Sequence, residues 1–207
     1  MKISKLHKFV FISTPKACTN SIYKILDEHY SEGLRARGFH DVDIPRRYRS
    51  YFRWTVCRNP YSRAVSLWWS ACRLAHLDQY LFRECCGAVD DFPRFIMWLS
   101  NTTSEERKRE PLMMNQTEWL GPVEPIAALH MESLEEELIK LPFWKEGITI
   151  PQLNTTSQKI KDQEKHEGQV IVRPSQRDLY QDDKARLAVL RWAGPDFDRF
   201  GYSRELE

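Results

Sequence analysis

Apolar residues enter this chain as short unbroken runs followed by spaced repeats, an alternation that predicts strands leading into helices. Lys8-Phe-Val-Phe-Ile-Ser13 has no polar residue between its ends, the pattern of a strand buried on both faces. Polar Thr14-Pro-Lys-Ala-Cys-Thr-Asn-Ser21 follows, and then Ile22, Ile25, Leu26 and His29 recur at helical spacing through 21–30. The same grammar returns at Tyr51-Phe-Arg-Trp-Thr-Val-Cys57, a second strand. Behind it, Asn59 and Pro60 read as an N-cap and a first helical position, opening a helix to about Leu74.

A third helix is predicted over 91–100. Residues 101–118 are polar, and the charge run Glu105-Glu-Arg-Lys-Arg-Glu110 reads as a solvated loop or helix face. Pro125–Met131 predicts another buried strand, and Ser133-Leu-Glu-Glu136 a capping box for a helix to about Leu141. Residues 157–169 form a polar surface segment. A last helix over 182–193 carries Leu187, Leu190 and Trp192 and stops at Gly194-Pro195. Strands alternating with helices predict an α/β fold, P-loop-like, with a central, mainly parallel sheet flanked by helices. With 207 residues, the expectation is a single domain over 1–207.

Composition narrows the function classes. Lys and Arg number 31 against 29 Asp and Glu, a balance that argues against a generally basic nucleic-acid binder and against an acidic disordered tail. A hydrophobic content of 42% is enough for a sizeable core. No run approaches the ~18 apolar residues of a membrane span, and Met1–Lys8 has basic residues but no apolar signal-peptide core. The five cysteines are an odd count, with Cys85 and Cys86 adjacent. Reduced thiols and a cytoplasmic setting are therefore expected. The sequons at Asn101, Asn115 and Asn154 would matter only in a secreted protein.

Chemistry gathers in the two strand-to-helix loops. In open parallel sheets ligands sit beyond the carboxyl ends of the strands, where helix N-termini present their N–H groups. The first loop offers Lys16, the backbone amides of Ala17, Cys18, Thr19 and Asn20, and the hydroxyls of Thr19 and Ser21, a pocket for a tetrahedral anion. It lacks the Gly-x-x-x-x-Gly-Lys spacing of a Walker loop, and no metal is expected. The second loop sets Arg58 before a helix that carries Ser62 and Ser66 on one face. An Arg fork with a helix-borne hydroxyl suits a second phosphate. Taken singly, Arg58 also reads as the partner of a carboxylate and Ser66 as a packing serine.

At these residues the chain resembles the sulfotransferases. Thr14-Pro-Lys-Ala-Cys-Thr-Asn-Ser21 is similar to their 5′-phosphosulfate loop, and Arg58-Asn-Pro-Tyr-Ser-Arg-Ala-Val-Ser66 to their 3′-phosphate motif. The flavour is nearest the carbohydrate (Golgi-type) branch, which Asp196-Phe-Asp-Arg-Phe-Gly-Tyr202 and Leu153-Asn-Thr-Thr156 also resemble. The resemblance implies transfer of a sulfuryl group from 3′-phosphoadenosine 5′-phosphosulfate to a hydroxyl acceptor, by in-line displacement and without a metal. Adenosine 3′,5′-bisphosphate is then the nucleotide product. It implies Lys16 at the leaving oxygen, the loop amides with Thr19, Asn20 and Ser21 at the 5′-phosphate, and Arg58 with Ser66 at the 3′-phosphate.

The chain departs from that pattern in two places. Cys18 stands where many members have Gly, which puts the backbone angle there in question. The carbohydrate branch is usually membrane-anchored, and the lack of an anchor here points to a soluble bacterial or viral form.

A general base must take the acceptor's proton. His40, in Gly38-Phe-His-Asp-Val-Asp43, lies in the interval where related enzymes carry a His or Glu base, and imidazole suits proton transfer near neutral pH. Asp41, Asp43 and Glu28 are the alternatives. From Arg35 to Arg63 there are eight Arg and two Asp, either an anionic-acceptor surface, such as a charged glycan would need, or a solvated basic loop. Trp119 is the one tryptophan outside the expected core, a candidate for stacking on an acceptor. Asn154, Thr155, Thr156 and Lys159 are weaker candidates for nucleotide contact. Two other functions compete: a non-catalytic polyanion-binding module and a Mg-dependent nucleotide phosphotransferase.

Overall fold

The structure, a computed structural model, describes residues 1–38, 41–74, 91–124, 126–151 and 174–206. Its strands are β1 (Lys2–Ser4), β2 (Phe9–Phe11), β3 (Leu34–Ala36), β4 (Phe52–Cys57) and β5 (Ala127–His130), in the sheet order β3-β1-β2-β4-β5. β2, β4 and β5 run parallel, while β1 is antiparallel to both β2 and β3. Four of the five strands therefore point one way. β1 and β3 are three residues each, too short to carry a period of their own.

The helices are α1 (Thr19–His29), α2 (Pro60–Leu74), α3 (Phe92–Asn101), α4 (Ser104–Arg109), α5 (Gln116–Leu120), α6 (Leu134–Leu138), α7 (Gln176–Leu179) and α8 (Asp183–Phe200). Alternation along the strands feeds both faces of the sheet. Phe9, Phe11, Trp54 and Val56 pack against Ile22, Ile25 and Leu26 of α1, and Val10, Ile12 and Cys57 against Trp119, Leu120 and Phe200. Each large apolar side chain so buried stabilises the fold by about 1.5–3 kcal/mol. A third cluster joins α2, α3 and α8 beside the sheet. Among the described residues no helix is long and apolar enough to cross a membrane.

The charge run at 105–110 lies on a solvated helix face, as expected, and the polar stretch 101–118 is divided into α4 and α5, each headed by a capping box, Thr103 with Glu106 and Asn115 with Glu118. Two other expectations change. The box expected at Ser133 does not form: its hydroxyl donates to Glu137 Oε1 at 2.7 Å, and α6 is correspondingly short. The last helix does not stop at Gly194-Pro195. It kinks at Ala193 (φ −116°, ψ 19°) and continues to Phe200, ending at Gly201 with φ +69°. Pro195 falls in the first turn after the kink, where its missing N–H removes no helical bond. The segments 153–156 and 157–169 lie outside the described residues.

Candidate active site

Both candidate loops leave the carboxyl ends of parallel neighbours, β2 and β4. The first is anchored from below. Thr55 donates to the Ile12 carbonyl at 2.7 Å and so accepts from Thr14, whose hydroxyl is 2.8 Å away. The buried Thr19 hydroxyl donates to the Thr14 carbonyl at 3.0 Å, and Ala17 N–H to the same oxygen at 3.3 Å.

Lys16 and Cys18 have φ of +68° and +56°, while Ala17 between them does not. Such alternation of hand turns successive N–H groups toward one side, the geometry of an anion nest. The departure at Cys18 thus leaves the loop's angle in the left-handed region, which Gly adopts without strain and Cys does not. Cys18 gives α1 no side-chain cap, and no acidic residue occupies the first turn. The leading N–H groups of a helix have no intrahelical acceptor, so the start of α1 is electrostatically suited to an anion. Lys16 and Cys18 are half-buried, Ala17 and Ser21 buried, and Asn20 exposed.

In the second loop Asn59 caps α2 as expected, its Oδ1 accepting from Tyr61 N–H at 2.9 Å and Ser62 N–H at 3.4 Å. Ser62, Ser66 and Ser70 are partly exposed at every fourth position of a helix whose intervening residues are buried, so they line one edge of it. That edge meets the first loop. The Lys16 ammonium donates to the Ser70 hydroxyl, which donates in turn to the Ser66 carbonyl at 3.0 Å. Arg58 Nη1 donates to the Lys16 carbonyl at 3.3 Å, and Arg63 Nε to the Pro15 carbonyl at 3.1 Å. The structure therefore brings together Lys16, Ala17, Cys18, Thr19, Arg58 and Ser66.

Arg63, within the Arg58–Ser66 motif and the basic interval, carries no assigned role in the sequence reading, since nothing in residue type or spacing marks it as buried. Its guanidinium is fully buried, 5.1 Å from the Trp192 ring centre, with Nη2 donating to the Met114 carbonyl at 2.8 Å. Burial lowers its pKa to about 10 against the attraction of Asp196, so it remains a cation at neutral pH.

A second tier stands behind Arg58. Gln116 Oε1 accepts from Arg58 N–H at 2.8 Å, and its Nε2 donates to the Arg58 carbonyl at 2.9 Å and to Asp196 Oδ2 at 3.3 Å. Asp196 also accepts from the backbone N–H groups of Gln116 (2.9 Å) and Thr117 (2.7 Å). One turn later Arg199 donates to the Thr117 and Gly121 carbonyls at 3.3 and 3.0 Å, so α8 grips α5 at both ends. The spacing of Asn115 and Glu118 was the available signal for where α5 begins. On the other side Glu132, just past β5, accepts from Asn59 N–H at 2.8 Å and from the Tyr202 hydroxyl at 2.9 Å. The nearby Cys57 thiol is pushed up to about 12, chiefly by burial, which disqualifies it as a nucleophile at neutral pH.

The candidate bases fare differently. His40 lies outside the described residues. Asp41 pairs with Arg37 at 2.7 Å and accepts from Asp43 N–H, and Glu28 is exposed beside Lys24 at 3.7 Å. β3, from which this interval departs, ends level with β2: Ala36 and Phe11 both pair with Lys2. Two strand spacings, about 10 Å, separate them.

Trp119 is not an acceptor platform. It is buried, and its Nε1 donates to the Ser13 carbonyl at 2.9 Å. The Arg-rich interval also divides: Arg35, Arg37, Arg46, Arg47 and Arg49 are exposed, Arg53 and Arg58 half-buried, and Arg63 wholly enclosed. Asn115 is buried as a helix cap, so that sequon is unavailable for glycosylation. Asn154, Thr155, Thr156 and Lys159 are outside the described residues.

A model of the sulfotransferase family matches residues 1–203 of the chain. No curated protein and no solved structure matches it.

Proposed function

The chain belongs to the sulfotransferase family, and from that premise we propose that it moves a sulfuryl group from 3′-phosphoadenosine 5′-phosphosulfate to a hydroxyl acceptor, most closely a carbohydrate. Residues 1–207 act as a single sulfotransferase domain in this proposal. The observation that carries it is the joining of the two anion loops by Arg63 to Pro15, Arg58 to Lys16 and Lys16 to Ser70. A donor with phosphates at both ends of its ribose needs two anion sites held at a fixed separation, and those contacts hold them.

When bound, the donor supplies an activated sulfuryl group and a phosphate leaving group. The chain's own residues supply positioning and charge. The amides of Cys18, Thr19 and Asn20, with the Ser21 hydroxyl, hold the 5′-phosphate, and Ala17, whose N–H donates to the Thr14 carbonyl, closes the turn beneath it. The Thr19 hydroxyl, committed as a donor to Thr14, is left to shape the loop and to accept. Lys16 turns from Ser70 to neutralise charge on the leaving oxygen. Arg58 and Ser66 hold the 3′-phosphate, and no residue is assigned to a metal.

His40 takes the acceptor's proton. The level ending of β3 and β2 supports this, since it starts the His40 interval at the same end of the sheet as the phosphate loop. The exposed arginines support an acceptor that already carries anionic groups, as a charged glycan does. The thiols of Cys18 and Cys57 fit a reducing, cytoplasmic setting.

Isotope-labelled donor incubated with the protein and a panel of glycans, lipids, small alcohols and tyrosyl peptides tests this by mass spectrometry. A sulfuryl gain on a glycan that is lost in Lys16→Ala supports it. A gain confined to another acceptor class corrects the acceptor, and no gain on any acceptor removes the enzymatic proposal.

A further inference from the structure

Strand β4 ends at Cys57, paired with His130, the last residue of β5. Beyond His130 the chain turns into a 3₁₀ turn at Met131–Ser133, so Arg58 leaves the sheet without a strand neighbour on that side. A side chain takes the neighbour's place. The Gln116 amide accepts from the Arg58 N–H and donates to the Arg58 carbonyl, the reciprocal pair of bonds a strand would give. The amide's orientation is dictated by its partners: Nε2 faces the Arg58 carbonyl and the Asp196 carboxylate, both acceptors, so Oε1 must face the N–H.

Gln116 and Asp196 are both 0% exposed. A buried carboxylate is costly unless its lone pairs are met. Asp196 meets two backbone N–H groups and the Gln116 amide, all at the start of α5. The arrangement runs one way, from α8 through α5 to the backbone of one residue in the second anion loop.

We propose that Gln116, locked by Asp196, is the positioning residue for Arg58, and that it sets how strongly the protein prefers nucleotides carrying a 3′-phosphate. This rests on the assignment of Arg58 to that phosphate. A guanidinium sits at the end of a long side chain, so freedom at its Cα becomes displacement at its tip. Misplacement of about 1 Å costs binding or transfer on the order of a hundredfold where geometry is demanding. Arg58 also donates to the Lys16 carbonyl, but the 5′-phosphate loop keeps its anchors through Thr14, Thr19 and Arg63, so the larger loss falls on the 3′-phosphate.

The test is calorimetric titration of the full chain with adenosine 3′,5′-bisphosphate and with adenosine 5′-monophosphate. The wild type prefers the bisphosphate. In Gln116→Met, which keeps the volume and removes both bonds, that preference falls roughly tenfold or more while affinity for the monophosphate stays within about twofold. An unchanged preference overturns the inference, as does an equal weakening toward both nucleotides, the mark of a merely structural role. Should Gln116→Met fail to fold, Asp196→Asn turns one acceptor into a donor facing backbone N–H groups, and the same ratio decides. A wild type with no preference fails at an earlier point: it refutes the assignment of Arg58 to the 3′-phosphate.

Discussion

Arg63 Nε donates to the Pro15 carbonyl at 3.1 Å, so a residue on the second loop's helix holds the backbone of the first. The same guanidinium reaches the Met114 carbonyl ahead of α5. Three segments distant in sequence therefore share one buried cation. Arg63→Met leaves two buried carbonyls without this donor, and the expected loss is about 2–4 kcal/mol of stability, measured by denaturant unfolding. Arg63→Lys keeps the charge but cannot serve both carbonyls with a planar fork, so an intermediate loss is expected.

Cys18 heads α1 with φ +56° and ψ 17°. A β-branched side chain is strained there, and Cys18→Val is expected to destabilise by about 1–2 kcal/mol. Cys18→Gly relieves the strain but gains freedom in the unfolded chain, so the two nearly cancel, to within about 0.5 kcal/mol. Paired thermal melts check the contrast.

His130 places Nδ1 3.0 Å from Glu137 and Nε2 2.8 Å from the Phe200 carbonyl, so its cation satisfies two acceptors. Burial pulls its pKa down, but the Phe200 carbonyl and Glu137 outweigh that and raise it. Burial likewise raises the Glu137 carboxyl, and the Ser133 hydroxyl with the His130 groups more than offsets it and holds it low. A raised histidine stabilises fully below its ordinary value and loses that contribution as pH rises through the raised one. A lowered carboxyl loses its own as pH falls through the lowered value. The pair is thus most stabilising between about pH 5 and 6.5. The melting-temperature advantage of wild type over His130→Gln should shrink from pH 6 to pH 8.

Lys16→Ala removes the one side-chain cation on the phosphate loop. If it neutralises the leaving oxygen, sulfuryl transfer falls roughly a hundredfold or more, with donor affinity changed far less, as single-turnover rates and titrations would show.

The parallel part of the fold was legible because β2 is an uninterrupted apolar run, β4 an apolar one broken only by Arg53 and Thr55, both end in polar loops, and Asn59-Pro60 announced α2. β1 and β3 were not, since Lys2-Ile-Ser4 and Leu34-Arg-Ala36 contain no apolar run to mark them and hold their place by pairing. The site was half legible. Lys16, Arg58 and Ser66 stand out by residue type at motif spacing, whereas Gln116 and Asp196 act through contacts 58 and 80 residues apart. A glutamine in a polar stretch gives no sign that it will be wholly buried. Trp119 misled for the same reason, its burial being decided by the sheet face it packs against.

Titration with adenosine 3′,5′-bisphosphate in the absence of magnesium tests the central claim most directly. The account predicts saturable binding by the wild type, lost when Lys16→Ala and Arg58→Ala are combined in a variant that remains folded. Absence of binding by the wild type, or undiminished binding by the double variant, would contradict it.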